Sequence, residues 1–63
     1  MATSQLFAAM CRAIYAADRR GEDWLTAAHC ARRVVERFIR RGGDPIIAAE
    51  AWRRGERAGL GMG

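Results

Sequence analysis

Hydrophobic residues recur along most of this chain at intervals of three and four positions, the spacing that places side chains on one face of an α-helix. The pattern predicts three helices, over about residues 4–20, 23–41 and 45–57. Strands are not expected, because β-branched residues are sparse and alanine and arginine, both strong helix formers, are abundant. We therefore predict an all-α fold, a small single three-helix domain over residues 1–63.

Glycine, aspartate and proline mark the boundaries of the predicted helices. Gly21 follows the first helix, and Gly42 and Gly43 follow the second, where glycine readily adopts the left-handed conformation that ends many helices. Asp44 and Pro45 suit the N-cap and the first position of the third helix. These signals separate the second helix from the third without any long loop.

The two ends of the chain carry weaker signals than the interior boundaries. Thr3 or Ser4 is expected to cap the first helix, because a hydroxyl can accept a hydrogen bond from a free backbone N–H group. Residues 58–63 contain three glycines and follow the last helical pattern. This tail is therefore expected to be frayed.

The connection between the first two predicted helices is short, and short connections make neighbouring helices antiparallel. Apolar residues of the two helices then lie level with each other: Leu6 with Val35, Met10 with Ala31, Ile14 with Ala27, and Ala17 with Trp24. The agreement predicts an antiparallel helical hairpin, with the third helix packed across it. Trp24, Phe38 and Trp52 are expected in the core. The alternative is that one of the three, with Trp52 as the preferred candidate, is exposed and anchors a partner.

The apolar stripes of the first two predicted helices are wide. A helix that contacts one neighbour needs a stripe of roughly 100°, and both stripes exceed this width. A chain of 63 residues also buries only about 60% of the surface that its unfolded form exposes, and self-association is one way to add stability. We therefore expect a homodimer or a higher oligomer, formed through the surplus apolar face of the first or the second helix.

Catalytic motifs are absent from the sequence. The hydroxyl groups lie outside any nucleophile motif, there is a single histidine, and no glycine-rich loop has the spacing of a phosphate-binding loop. We therefore predict a non-catalytic protein that needs no cofactor. No stretch of about 18 apolar residues and no basic segment before an apolar N-terminal run is present, so we expect a cytoplasmic protein without a membrane span.

Cys11 and Cys30 lie level with each other in the predicted hairpin, at the borders of the apolar stripes. Three interpretations are open: two small, buried hydrophobic residues, a disulfide under oxidising conditions, or a metal site that includes His29. We favour the first, because cytoplasmic thiols stay reduced and these three ligands lack the spacing of a zinc module. No metal is therefore expected.

Basic charge is concentrated in one segment of the chain. All eleven basic residues are arginine and the net charge is +4. Residues 29–41 hold five of these arginines and one glutamate, whereas acidic and basic residues balance in the remainder. The excess charge is therefore local rather than spread over the surface.

Helical spacing places much of this charge on one line. His29, Arg33, Arg37 and Arg40 follow each other at intervals of four, four and three residues. Glu36 is one turn from both Arg33 and Arg40, so we expect it to pair with them and to interrupt the line. Three uses of this face are open: a solvated face, a docking surface for an acidic protein, or a phosphate contact to nucleic acid.

We predict a small regulator or inhibitor that binds a macromolecule, with a protein that has an acidic surface as the expected partner. The predicted binding residues are Arg33, Arg37, Arg40, Arg41 and Trp52. By an analogy of size and class alone, the chain is typical of a phage or mobile-element product that targets a host protein. The alternative is a small DNA- or RNA-binding regulator that uses the basic face of the second helix, although the chain holds no asparagine and one glutamine to recognise bases.

Overall fold

Three α-helices make up the part of the chain that the computed structural model describes, residues 1–60, and no strand occurs in it. The helices are α1 (Thr3–Arg19), α2 (Trp24–Arg40) and α3 (Pro45–Arg57). The all-α prediction is confirmed, and each predicted helix boundary lies within one residue of the observed one. The most extensive contact is between α1 and α2, and the smallest is between α2 and α3. Across the described residues, the helices are too short or too polar to cross a membrane.

The start of α1 differs from the prediction. Ala2 is the N-cap residue, and its backbone N–H group donates a 2.7 Å hydrogen bond to Oε1 of Gln5. The Thr3 hydroxyl, predicted together with that of Ser4 as a possible cap, instead donates a 2.9 Å hydrogen bond to Oε2 of Glu50. The prediction was wrong because a tertiary partner on α3 uses the hydroxyl, and this bond joins the start of α1 to the middle of α3.

The starts of α2 and α3 each have an aspartate cap. Asp23 Oδ1 accepts a 2.8 Å hydrogen bond from the backbone N–H group of Thr26. Asp44 Oδ1 accepts a 2.9 Å bond from that of Ile46, and Pro45 occupies the first helical position as predicted. Each carboxylate satisfies a donor that has no partner within its helix.

All three helices end in the same glycine motif. Each C-cap residue is followed by a glycine with positive φ, and the next N–H group donates to a carbonyl five residues earlier. The three donor–acceptor pairs are Glu22 to Ala17, Gly43 to Phe38, and Leu60 to Gly55. Residues 58–60 therefore form a defined turn, with Leu60 against the core, where a frayed tail was predicted. Residues 61–63 of that predicted tail lie outside the described residues.

The buried positions hold mostly small side chains. They are Leu6, Met10, Ala17, Ala27, Ala31, Val35, Ala48, Ala51 and Gly55. Small residues let helix axes approach closely. The result is a thin molecule, with a shortest extent of 15 Å, in which Leu6 and Met10 are the largest fully buried side chains.

The prediction that Trp24 lies in the core was wrong, because its side chain is 68% exposed. Trp24 is the first residue of α2. Of the described residues that follow α3, only Leu60 lines the cavity beside Trp24. The core therefore stops short of this end of the molecule. Phe38 and Trp52 are half-buried and pack against the core.

Candidate functional site

Four arginines of the α2 segment form an exposed surface that we call the arginine face. Its members are Arg33, Arg37, Arg40 and Arg41. Ion pairs within residues 1–60 join Arg20 to Glu22 and Arg32 to Glu36, and neither involves the arginine face. Four like charges are therefore presented to solvent without a carboxylate partner among the described residues.

The prediction that Glu36 pairs with Arg33 and Arg40 was wrong. Its Oε2 lies 3.7 Å from Nε of Arg32, one turn earlier on α2. Arg32 and Glu36 also line one cavity with Trp52, so this carboxylate lies toward α3. Several bases lie within one helical turn of Glu36, and spacing alone does not decide among them.

A cavity of about 490 Å³ lies beside the arginine face, between the start of α1 and the end of α2. Val34 and Phe38 contribute apolar surface, and Arg37 and Arg41 contribute guanidinium groups. A guanidinium group donates parallel hydrogen bonds to a carboxylate. The cavity is therefore suited to an apolar side chain whose neighbour carries a carboxylate.

The aromatic ring of this cavity is held against the backbone of the turn that follows α2. A Cβ atom added to Gly43 would lie 2.6 Å from Cε2 and Cζ of Phe38 and 2.6 Å from the Phe38 carbonyl oxygen. The ring thus occupies space that any other residue at position 43 would need. This close packing positions Phe38 beside Arg41 and Arg37.

The predicted binding residues do not form one site. Arg37 and Arg41 line the same cavity, and Arg33 and Arg40 lie on the exposed surface of the helix outside it. Trp52 lines a different cavity, with Val35, Arg32 and Glu36. The structure therefore brings together two of the predicted residues and separates Trp52 from them.

Sequence reasoning missed an aromatic surface at the opposite end of α2. Trp24 and Tyr15, exposed by 68% and 63%, line a cavity of about 320 Å³ with Asp18 and Glu22. The Arg19 guanidinium lies 5.8 Å from the centre of the Tyr15 ring. The sequence signal for the exposure of Trp24 was its position directly after the Asp23 cap, because the first turn of a helix often extends beyond the helices packed against it.

Two titratable groups near the α1–α2 connection have shifted pKa values. The Glu22 carboxylate, 3.0 Å from Nη2 of Arg20, raises the pKa of that guanidinium by accepting its hydrogen bond. Hydrogen bonds from Thr26 lower the pKa of Asp23 from its usual 3.8. Both shifts favour the charged forms and stabilise the connection at neutral pH.

The two cysteines are unbonded to each other and half-buried. Within residues 1–60, no three His, Cys, Asp or Glu side chains are grouped closely enough to hold a metal ion.

Comparisons with models of protein families, with curated proteins and with solved structures found no match for this chain. The arginine face and the cavity beside it are therefore the candidate functional site.

Proposed function

We propose that this protein is a small non-catalytic regulator or inhibitor that binds an acidic surface of a partner protein. The observation that carries the proposal is the cavity beside the arginine face, where Arg37 and Arg41 flank the apolar surface of Val34 and Phe38. An acidic segment with an apolar residue would bury that residue on Phe38 and pair its carboxylates with the two guanidinium groups. Arginine is well suited to such interfaces because its planar group both pairs and stacks.

A nucleic-acid partner is the second candidate, and one observation favours it. Glu36 lies beside Arg32, so it does not interrupt the arginine face as the sequence suggested. Four exposed arginines along α2 and its C-cap are able to contact successive phosphates. The apolar surface of the cavity favours the protein partner, because phosphate contacts do not need it.

We propose an antiparallel α1–α2 hairpin, supported by shared cavities that join Leu6 to Phe38 at one end and Ile14 to Ala27 at the other. We propose a homodimer, supported by the thin core and the exposed large apolar residues. A cytoplasmic phage or mobile-element product that acts on a host protein remains a proposal by analogy of size.

Binding of defined probes tests the proposal. The protein probe is a fluorescently labelled peptide of alternating glutamate and leucine, and the nucleic-acid probes are mixed-sequence DNA and RNA. We expect the peptide to bind, and the double variant Arg37→Glu, Arg41→Glu to weaken binding by about tenfold or more, since hydrogen bonds between charged groups are lost. The matched control is the double variant Arg12→Glu, Arg57→Glu, which makes the same change in net charge elsewhere on the exposed surface.

The outcomes of this experiment separate the two candidates. Equal loss of peptide binding in both double variants would show that only overall charge matters, and the assigned site would be wrong. Stronger binding of DNA or RNA than of peptide, with an affinity that falls linearly in log K against log salt, would support the nucleic-acid candidate instead. Circular dichroism of each variant checks that the helices are retained.

A further inference from the structure

The smallest helix–helix contact in the molecule, between α2 and α3, leaves an open groove. Two cavities, of about 440 and 370 Å³, lie along it and share Val35 and Trp52 among their lining residues. We call this surface the α2–α3 groove. It lies on the flank of α2 where Arg32 and Glu36 are found, whereas Arg37 and Arg41 line the cavity on the α1 side.

The floor of the α2–α3 groove is apolar and incompletely covered. Ile39 lines it with 46% of its surface exposed, and Trp52 is half-buried there. Pro45 and Ala49 add exposed apolar surface from α3. Contact with another protein surface would remove these groups from water, which is the main favourable contribution to association.

The two rims of the groove carry balanced charges. Arg32 and Glu36 lie one turn apart on the α2 rim, and Arg53 and Glu56 lie about one turn apart on the α3 rim. Each rim therefore has one charge of each sign. This pattern contrasts with the arginine face, where every charge is positive.

Balanced charges one turn apart are complementary to themselves. In a two-fold symmetric dimer the same surface of both copies meets, so residue i of one copy contacts residue j of the other and the reverse. A two-fold axis that passes between Arg32 and Glu36 places the arginine of each copy against the glutamate of the other. Within one chain, the Arg32–Glu36 ion pair is exposed and its atoms are 3.7 Å apart. Little stability is therefore lost when this pair is replaced by pairs between the two copies.

We infer that the α2–α3 groove binds a second copy of this chain, as an antiparallel contact of two α2 helices in which Arg32 and Glu36 pair between copies. The inference rests on the proposed homodimer and specifies its interface. Self-association through the arginine face would bring like charges together and is therefore unfavourable. In the groove-mediated dimer the cavity lined by Arg37 and Arg41, on the α1 side of α2, stays accessible to a partner.

Variants with opposite charge on the α2 rim test the cross-pairing. Arg32→Glu leaves two carboxylates on this rim, and Glu36→Arg leaves two guanidinium groups, so each variant alone repels its own copy. We expect the wild type to sediment as a dimer in analytical ultracentrifugation, and each single variant as a monomer. An equimolar mixture of the two variants is expected to recover the dimer, because the rims are then complementary.

An apolar substitution tests the floor of the groove. Ile39→Asp is expected to give a monomer, whereas Ile46→Asp, at an exposed isoleucine that does not line the groove, keeps the dimer. Wild-type protein that is monomeric at every concentration overturns the inference and leaves the groove for a different protein. Dimers of both single-charge variants, or a mixture that remains monomeric, overturn it as well. Because peptide binding is measured separately, failure of the dimer and failure of the proposed function are distinguishable.

Discussion

Gly43 illustrates how a single residue shapes the candidate site. Its backbone lies so close to Phe38 that an added Cβ atom would be 2.6 Å from two ring atoms and from the carbonyl oxygen. Gly21, Gly42 and Gly59 have positive φ angles, whereas Gly43 does not. The absence of a side chain at position 43 is therefore required by packing rather than by backbone conformation.

At this position we expect Gly43→Ala to destabilise the protein by about 1–3 kcal/mol, the usual cost of forcing an extra carbon into packed space. The ordinary effect of glycine to alanine at a permitted φ is a stabilisation of about 0.4–1 kcal/mol, since the unfolded chain loses conformational freedom. Urea denaturation measures the difference. An alanine variant as stable as the wild type would show that the Phe38 ring is not held by the turn.

Helix boundaries follow local chemistry at the scale of single elements. The Asp23 and Asp44 carboxylates each accept a hydrogen bond from a backbone N–H group of the first helical turn. Each helix then ends at a positive-φ glycine. Since these interactions involve residues close in sequence, the start and end of each element depend little on the rest of the fold.

The Asp23 cap makes part of the stability of α2 dependent on pH. Because the hydrogen bonds from Thr26 lower the pKa of Asp23 below 3.8, the ionised carboxylate stabilises the folded state above the unfolded pKa. This stabilisation is lost as pH falls through the lower, folded-state pKa. We expect Asp23→Asn, which retains a capping oxygen, to flatten the pH dependence of stability in this acid range.

Thermal unfolding followed at 222 nm between about pH 2 and pH 5 tests this expectation, since the window spans the reference value of Asp. Wild type and variant are compared at each pH. An identical pH dependence in both proteins would mean that the acid sensitivity arises from other carboxylates.

Features of this protein that depend on residues close in sequence follow from local patterns. The helices, the glycines that end α1 and α2, and the Asp44 cap of α3 were predicted because spacing, aspartate and glycine act within one or two turns. The exposure of Trp24 was not predicted, because it depends on where α3 ends. The partner of Glu36 and the separation of Trp52 from the arginine face depend on the packing of α3 beside α2. Helical spacing gives the angular position of each residue around its own helix. It does not give the side on which the neighbouring helices pack.

The whole molecule combines two surfaces of opposite character around a thin core. The arginine face carries positive charge only, and the α2–α3 groove is apolar with balanced rims. With a shortest extent of 15 Å, the monomer has few residues that are covered on all sides. A dimer through the groove would thicken the core while it leaves the cavity of Arg37 and Arg41 accessible.

Association through the groove has a thermodynamic consequence for unfolding. A protein that folds and dimerises together has a midpoint of thermal unfolding that rises with protein concentration. We expect this rise for the wild type and for Ile46→Asp, and a midpoint independent of concentration for Ile39→Asp. Differential scanning calorimetry over a hundredfold concentration range provides the measurement. A wild-type midpoint that does not move would argue for an independently folded monomer.

The size pattern of the core bears on how this protein can change during evolution. Small residues such as Ala31, Ala48 and Ala51 hold the helices together, while large side chains of the proposed binding surfaces, such as Arg37, Arg41 and Ile39, lie outside. Substitutions of the large residues therefore alter recognition with little effect on folding, whereas enlargement of an interior alanine separates the helices. A lineage of such chains would be expected to exchange binding partners faster than it loses its fold.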